Sequence, residues 1–549
     1  MPCTRSSTPP RAHRPAYRRA LAVALGLAAV LGVAPAHAAP PEAPAREAGA
    51  AVLPAEVLGA LQAAKVPASA LAVVVQEAGG GERLGWQPAQ PMNPASLFKL
   101  LTTYAALDRL GPAWSWSTPV WATGPLKDGV LDGSVHIEGR GDPKLVLERV
   151  WLLLRRLQQE GVREIRGDLV LDHGFFAVPG RHPGEFDNEP LRPQNVQPDA
   201  LLINQKVVEY RFLPEPASLH ARVVADPALA GMPDEDTVPL ALGDCGDWRG
   251  ALQPAAEPPG ALRFAGRLPA ACGPRTWRIA VPDAAGYGAR LVARLWRDLG
   301  GRVGGAVRDG SVPPGARLLF EWPSPPLAEV VRDINKFSNN VMAEQLFLSL
   351  AAPEAAASAV PGAAPGAPGM SSGAASGPGP AAPPVYVRPP PVTQAAARGA
   401  LLSWLTERLG DDMAAQVVPD NGSGLSRDAR VSAAALARLL QHAWASGVMP
   451  EMLASLPVSG TDGTLRRFAA APGRAHLKTG SLRDVAGVAG YVLADDGRRY
   501  IVVALINHPQ AGTARPALDA VVRWAGSAGA PTPAITACCA RRLPRPAAP

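Results

Sequence analysis

Residues 54–64 carry apolar positions at helical spacing and lead into an apolar strand at 70–78. In SLFKLLTTYAALDRL, Leu97, Leu100, Leu101, Tyr104 and Leu107 recur with the period of a helix that starts at Ser96, just after Pro94. From about 116 to 320 the pattern shortens to strands punctuated by Gly and Pro turns, as in VHIEGRGDPKL and IRGDLVLD, and predicts one or two β-rich domains. Helical spacing returns in LAEVVRDINKF (327–337), in VMAEQLFLSLA (341–351) and again from about 394. VAGVAGYVLA, the turn DDGR and RYIVVALINH form a hairpin signal, and residues 518–525 close with a helix. Strands at both ends with helices between them predict one α/β (α+β) domain, 39–115 and 321–527, split by the insertion at 116–320. Two segments fall outside this pattern. Residues 352–392 are almost all Ala, Pro, Gly and Ser, which cannot bury enough apolar area to offset ordering entropy and predict a flexible insert. Residues 528–549 predict a disordered tail.

Charge changes the picture at the N-terminus. Five arginines and no acid precede the apolar run at 20–36, and Ala36-His37-Ala38 supplies the small residues of a cleavage site before Ala39. Residues 1–38 therefore predict a signal peptide, a retained anchor being the competing reading of a 17-residue apolar run. Without those arginines the formal charge falls from +7 to +2, too small for the electrostatic footprint of a nucleic-acid binder. No later run is long enough to span a bilayer, so the mature chain is expected to be soluble and exported, with a periplasmic location and no stable membrane insertion. Export permits disulfides. Cys3 leaves with the signal and Cys538 and Cys539 sit in the tail, so Cys245 and Cys272 form the natural pair, worth about 3–4 kcal/mol by loop entropy. No CxxC or HExxH spacing supports a zinc site, and no metal or organic cofactor is expected.

Three short patterns carry candidate chemistry: Ser96-Leu-Phe-Lys99, Ser338-Asn339-Asn340 and Lys478-Thr479-Gly480. A serine hydroxyl is a poor nucleophile until a base takes its proton. Positions i and i+3 share a helix face, so the Ser96 hydroxyl and the Lys99 amine can meet. Burial lowers a lysine pKa towards that of a working base. At a helix start, Ser96 also offers its own N–H to an acyl oxyanion at the positive end of the dipole. Lysine is scarce, 7 residues against 47 Arg, and an arginine in either place would stay protonated. Singly, Ser96 reads as an N-cap, SNN as a turn capping the next helix, and KTG as a solvated turn. All three together arise by chance in roughly a few chains per thousand, so the ordered trio outweighs those readings.

The trio resembles that of the penicillin-binding proteins and serine β-lactamases. More narrowly, the chain resembles the low-molecular-weight class C penicillin-binding proteins, the S13 family of D-alanyl-D-alanine carboxypeptidase/endopeptidases. GRGDPKL (139–145), IRGDLVLD (165–172), NNVMAEQL (339–346), DNGSGLSR (420–427) and GTDGTLRR (460–467) add to the likeness, as does the 242-residue interval between SxxK and SxN. The resemblance implies a DD-peptidase domain interrupted by extra domains, one nested in the other at about 139–224. It implies that Ser96 attacks the peptide carbonyl between two D-alanines and becomes an acyl-enzyme, with Lys99 as base. Ser338 would relay a proton to the leaving amine, with Lys478 holding the relay's charge. Asn340 would bind the substrate amide. Thr479 and Ser481, with Gly480 between them, would receive the terminal carboxylate, and the N–H groups of Ser96 and Ser481 would form the oxyanion hole. Arg427 is a further candidate contact to the stem peptide. The implied partners are peptidoglycan stem peptides, with β-lactams as covalent inhibitors. Ser481 stands where the family often has Thr, and the Ala/Pro tract and the Cys-bearing tail are further departures. A β-lactamase and a non-catalytic wall-binding scaffold are the alternatives. The long interval does not suit a compact lactamase, and a scaffold has no use for scarce lysines in two motifs.

Overall fold

In the computed structural model, which describes residues 52–233, 236–257, 261–281, 286–352, 386 and 388–527, the apolar strand and the C-terminal hairpin meet in one antiparallel sheet. Its order is Glu82–Trp86, Leu71–Glu77, Arg499–Asn507, Val485–Leu493, Ala475–Leu482. Alternation along each strand sends side chains to two different cores. Val73, Val75, Val502 and Ala504 face the layer containing Val57, Leu61, Leu518 and Val521, on the helices Ala55–Ala63 and Arg515–Gly526. Ala72, Val74, Ile501 and Val503 face the opposite layer, where Leu100, Leu101, Tyr104 and Leu107 pack. The helix Lys99–Leu110 lies at the centre of that layer, among Leu327–Phe337, Asn340–Ser349, Gln394–Leu409 and Ala433–Trp444. Thr102, Thr103 and Lys99 are buried as well, so this helix is covered all round. An amine buried this deeply must be hydrogen-bonded, paired or held neutral.

The inserted segment leaves and returns as paired strands, Ser117–Ala122 against Arg317–Pro323. They join a five-stranded sheet ordered Val307–Asp309, Leu169–Asp172, Val135–Glu138, Ser117–Ala122, Arg317–Pro323. A second five-stranded sheet spans 207–280. The nested unit thus falls near 207–280 and not near 139–224. Leu169–Asp172 pairs in parallel with both Val135–Glu138 and Val307–Asp309, which ties 139–172 to the outer sheet. The middle region also contains two amphipathic helices, Leu147–Gln159 and Tyr287–Asp298, that the strand-and-turn reading did not anticipate. Their buried faces, Val150, Leu153, Leu154 and Leu157 on one and Leu291, Val292 and Trp296 on the other, share a core with the sheets. Cys245 and Cys272 are joined, with Sγ–Sγ 2.08 Å.

The segment 1–38 expected to be a signal peptide, the tail expected at 528–549 and most of the Ala/Pro tract lie outside the described residues. At the end of that tract, Tyr386 donates to Glu138 and Arg388 pairs with buried Asp172, so these two residues have fixed partners on the outer sheet. Among the described residues, no helix is long and apolar enough to cross a membrane.

Candidate active site

Ser96 sits in a short 3-10 turn, Ala95–Phe98, that feeds directly into the helix beginning at Lys99. The helix therefore starts three residues later than the periodicity predicts, and the Ser96 side chain caps nothing. Ala95 is held at φ +47°, a left-handed conformation that costs a non-glycine residue about 1–3 kcal/mol. Its surroundings fix it there. Asn93 Oδ1 accepts the Ala95 N–H, the Asn93 N–H donates to Asn507 Oδ1, and Asn93 Nδ2 donates to the Ser426 carbonyl. Gly424, at φ +77°, passes so near that an added Cβ would lie 1.9 Å from the Ala95 carbonyl oxygen.

Lys99 Nζ is fully buried and has three neighbours: Ser96 Oγ at 3.0 Å, Asn340 Oδ1 at 2.7 Å and the Ser423 carbonyl at 2.6 Å. The last two can only accept. A neutral amine has two N–H bonds and one lone pair, so donating to both carbonyls directs the lone pair at the Ser96 hydroxyl. Burial lowers the Lys99 pKa to about 7, against the opposing field of Glu344. That is the protonation behaviour a general base at neutral pH needs.

Ser338 ends the helix Leu327–Phe337 in a left-handed conformation, φ +56°, and its hydroxyl lies 2.8 Å from Lys478 Nζ. Lys478 also donates to the Thr479 carbonyl at 2.8 Å. Burial drives its pKa well below that of a free lysine, and the neighbouring Lys99 amine adds to the fall. Asn339 caps the next helix by accepting from the Met342 N–H. The capping reading of SNN thus holds for its middle residue. Asn340 is buried, and its Nδ2 donates to the Gln194 carbonyl, so both ends of its amide are engaged.

The KTG strand, Ala475–Leu482, is the edge of the central sheet. Its Leu477 N–H donates outward to the Pro457 carbonyl, and alternation then points the N–H groups of Thr479 and Ser481 off the same open edge. Gly480 lets this strand approach the turn that carries Ser96, since a Cβ there would lie 2.6 Å from the Pro94 carbonyl oxygen. Thr479 Oγ1 donates to Thr464 Oγ1 at 2.9 Å, and Arg515 donates to Ser481 Oγ at 3.0 Å. Because Ser481 Oγ accepts from Arg515, its own proton faces no competition from that cation. Arg427 pairs with Asp484 and stacks on Phe186, 4.4 Å from the ring centroid.

The three patterns, 242 and 140 residues apart along the chain, thus converge on two lysine–serine pairs. Sequence reasoning gave no role to Ser423, Glu344, Arg181, Thr464 or Arg515. The first two and Thr464 stand inside DNGSGLSR, NNVMAEQL and GTDGTLRR, runs whose composition signalled something without saying what. Arg181 and Arg515 carried no local signal.

The chain is 28% identical over 485 residues to the D-alanyl-D-alanine carboxypeptidase of Actinomadura sp. (strain R39), covering 84% of this chain and 82% of that one. It is 25% identical over 439 residues to the D-alanyl-D-alanine carboxypeptidase DacB of Haemophilus influenzae, covering 76% and 80%. The crystal structure of penicillin binding protein 4 (dacB) from Haemophilus influenzae shares the fold, with a TM-score of 0.64 at 23% identity over 85% of this chain and 97% of that one. With the D-Ala-D-Ala carboxypeptidase 3 (S13) family model matching residues 53–364 and 387–527, the chain belongs to that family.

Proposed function

We propose that this serine-type D-Ala-D-Ala peptidase, an enzyme acting on peptidoglycan, uses Ser96 as its nucleophile and Lys99 as its acylation base. The single observation that carries the assignment is the Lys99 amine held between two carbonyl acceptors with its remaining valence on Ser96 Oγ. In the first step Lys99 takes the Ser96 proton while Oγ attacks the carbonyl of the penultimate D-alanine. The oxyanion is received by the N–H groups of Ser96 and Ser481, and loss of one such donor typically costs about 10²–10³ in turnover. The leaving amine takes its proton through Ser338, whose hydroxyl is supported by Lys478. Water then releases the acyl group from Ser96.

Thr479 and Ser481, with the close-packed Gly480 between them, bind the carboxylate of the leaving residue. Asn340 first holds Lys99, and it reaches a substrate amide by exchanging its Gln194 partner. The substrates are stem peptides of the wall, and β-lactams acylate the same serine. Export through a signal peptide ending at Ala38 places the enzyme in the periplasm, with Ala39 as the mature N-terminus, which mass spectrometry of the exported protein reads directly.

Labelled penicillin should map to Ser96 by peptide mass spectrometry and persist for many minutes. Rapid release of the label would point to a β-lactamase, and D-Ala release by Ser96→Ala at the wild-type rate would leave only a scaffold. Digestion of defined wall fragments separates carboxypeptidase from endopeptidase action by the leaving amine.

A further inference from the structure

One buried acid has no part in the chemistry above. Glu344 follows Asn340 by one helical turn on Asn340–Ser349, and its side chain is 3% exposed. Asn340 Oδ1 accepts from Lys99, while Glu344 Oε1 lies 3.0 Å from Ser423 Oγ, and the carbonyl of that same Ser423 accepts from Lys99. The Ser423 hydroxyl has one proton and two acceptors within reach, Glu344 Oε1 and Asn421 Oδ1, each at 3.0 Å. Asn421 Oδ1 already receives the N–H groups of Ser423 and Gly424. A carboxylate is the stronger acceptor, so the proton goes to Glu344. Arg181, from the inserted segment, donates to both Glu344 oxygens at 3.2 and 3.3 Å.

We propose that Glu344 is a positioning residue for acylation: through Ser423 it fixes one acceptor of the Lys99 amine, and it supplies the negative charge that stabilises that amine once it holds the Ser96 proton. The proposal rests on Lys99 being the base. The balance is simple. The Ser96 O–H bond breaks, an N–H bond forms on Lys99, and the ammonium faces the Glu344 carboxylate across Ser423 until the proton moves on to the leaving amine. Glu344 neither gains nor loses a proton.

Other charges near Lys99 do not fill this role. Lys478, from the KTG strand, is cationic or neutral and opposes a charged Lys99. Lys336, on Leu327–Phe337, is held by Asp462. Asp420 and Arg427, at the ends of the 420–427 loop, are turned to Arg398 and Asp484. Asp108, at the far end of the nucleophile helix, pairs with Arg408 on Gln394–Leu409. Burial raises the Glu344 pKa, and Arg181 is the main force opposing that rise. The inserted segment therefore helps keep the acid ionised.

The test is the second-order rate of acylation of the full chain by a fluorescent penicillin, followed against pH. In the wild type the rate falls as pH drops through the Lys99 pKa of about 7. Glu344→Gln removes the charge that raises this pKa, so the acid limb should move to lower pH by about half a unit or more, and the plateau should drop about tenfold. Glu344→Asp keeps the charge on a shorter arm, so its limb should stay at the wild-type pH while its plateau falls. A folded Glu344→Gln enzyme with the wild-type limb and plateau overturns the proposal. If Glu344→Gln does not fold, the Asp variant decides: wild-type rates at every pH overturn the proposal, and a lowered plateau with an unmoved limb supports it. Lys99→Arg in parallel separates the two readings, because normal acylation in that variant removes the base assignment itself.

Discussion

At the scale of single residues, the case turns on which protonation state the surroundings of an amine can accommodate. Lys99 has two neighbours that only accept and one hydroxyl that can do either. A guanidinium offers only donors and stays charged, so it cannot take a proton from Ser96. Lys99→Arg should fold yet lose acylation by labelled penicillin by about three orders of magnitude or more, the scale of removing a general base together with the geometry that it organises. Melting and circular dichroism would verify the fold, and acylation near the wild-type rate would refute the base. Ser96 and Lys99 were legible because their i, i+3 spacing is local. The acceptors of Lys99 were not, since Asn340 and Ser423 lie 241 and 324 residues further along the chain. The left-handed Ala95 and Ser338 carried no signal either, as neither is a glycine or asparagine.

At the scale of elements, the site is the seam between a turn and a strand. The turn at 95–98 carries Ser96, the proposed nucleophile, the strand Ala475–Leu482 carries the open N–H edge, and Gly480 sets the distance between them. Gly480→Ala places a methyl 2.6 Å from the Pro94 carbonyl oxygen and 3.1 Å from Leu97 Cγ. Both belong to buried, well-packed backbone and side chain, so the strand must retreat, at a cost of about 1–3 kcal/mol in stability. Retreat carries the Ser481 N–H away from Ser96, and acylation should fall about 10²-fold, as when one oxyanion donor is lost. Wild-type acylation with lowered melting would show that the strand does not set the hole. The hairpin 485–507 was readable from two apolar runs on either side of the turn DDGR, and the helix 327–337 from its helical spacing. The helices Leu147–Gln159 and Tyr287–Asp298 had the same spacing. They were overlooked because Gly and Pro on either side suggested a run of strands.

At the scale of the whole molecule, the inserted region divides into a part that hydrogen-bonds to the SNN corner and a part that meets it through packing. Arg181, Gln194 and Gln205 reach Glu344, Asn340 and Asn339, so the stretch between the outer sheet and residue 206 braces the SNN corner. From the sheet at 207–280, Val207 and Ala280 share a small buried cluster with Val341 beside Asn340, while Cys245 and Cys272 belong to the separate core of the insertion. The insertion itself was announced by the distance between motifs, but its internal division was not. Which strands pair across an insertion depends on contacts far apart in sequence, such as Val307–Asp309 with Leu169–Asp172, and these leave no local pattern. This division makes a prediction about the disulfide. Its two cysteines are 27 residues apart, and opening that loop should cost about 3–4 kcal/mol on the chain-entropy account. The loss falls on a sheet that shares its core with the outer sheet through Val208, Phe212 and Leu171, so melting of the whole insertion should begin earlier. At 25 °C, however, the Cys245→Ser/Cys272→Ser double variant should be acylated by labelled penicillin within about twofold of the wild-type rate, because a distant substitution with no shared partner leaves the site's contacts in place. Acylation that falls tenfold while the protein remains folded would mean that the nested sheet, through the 178–206 stretch, holds the SNN corner in register.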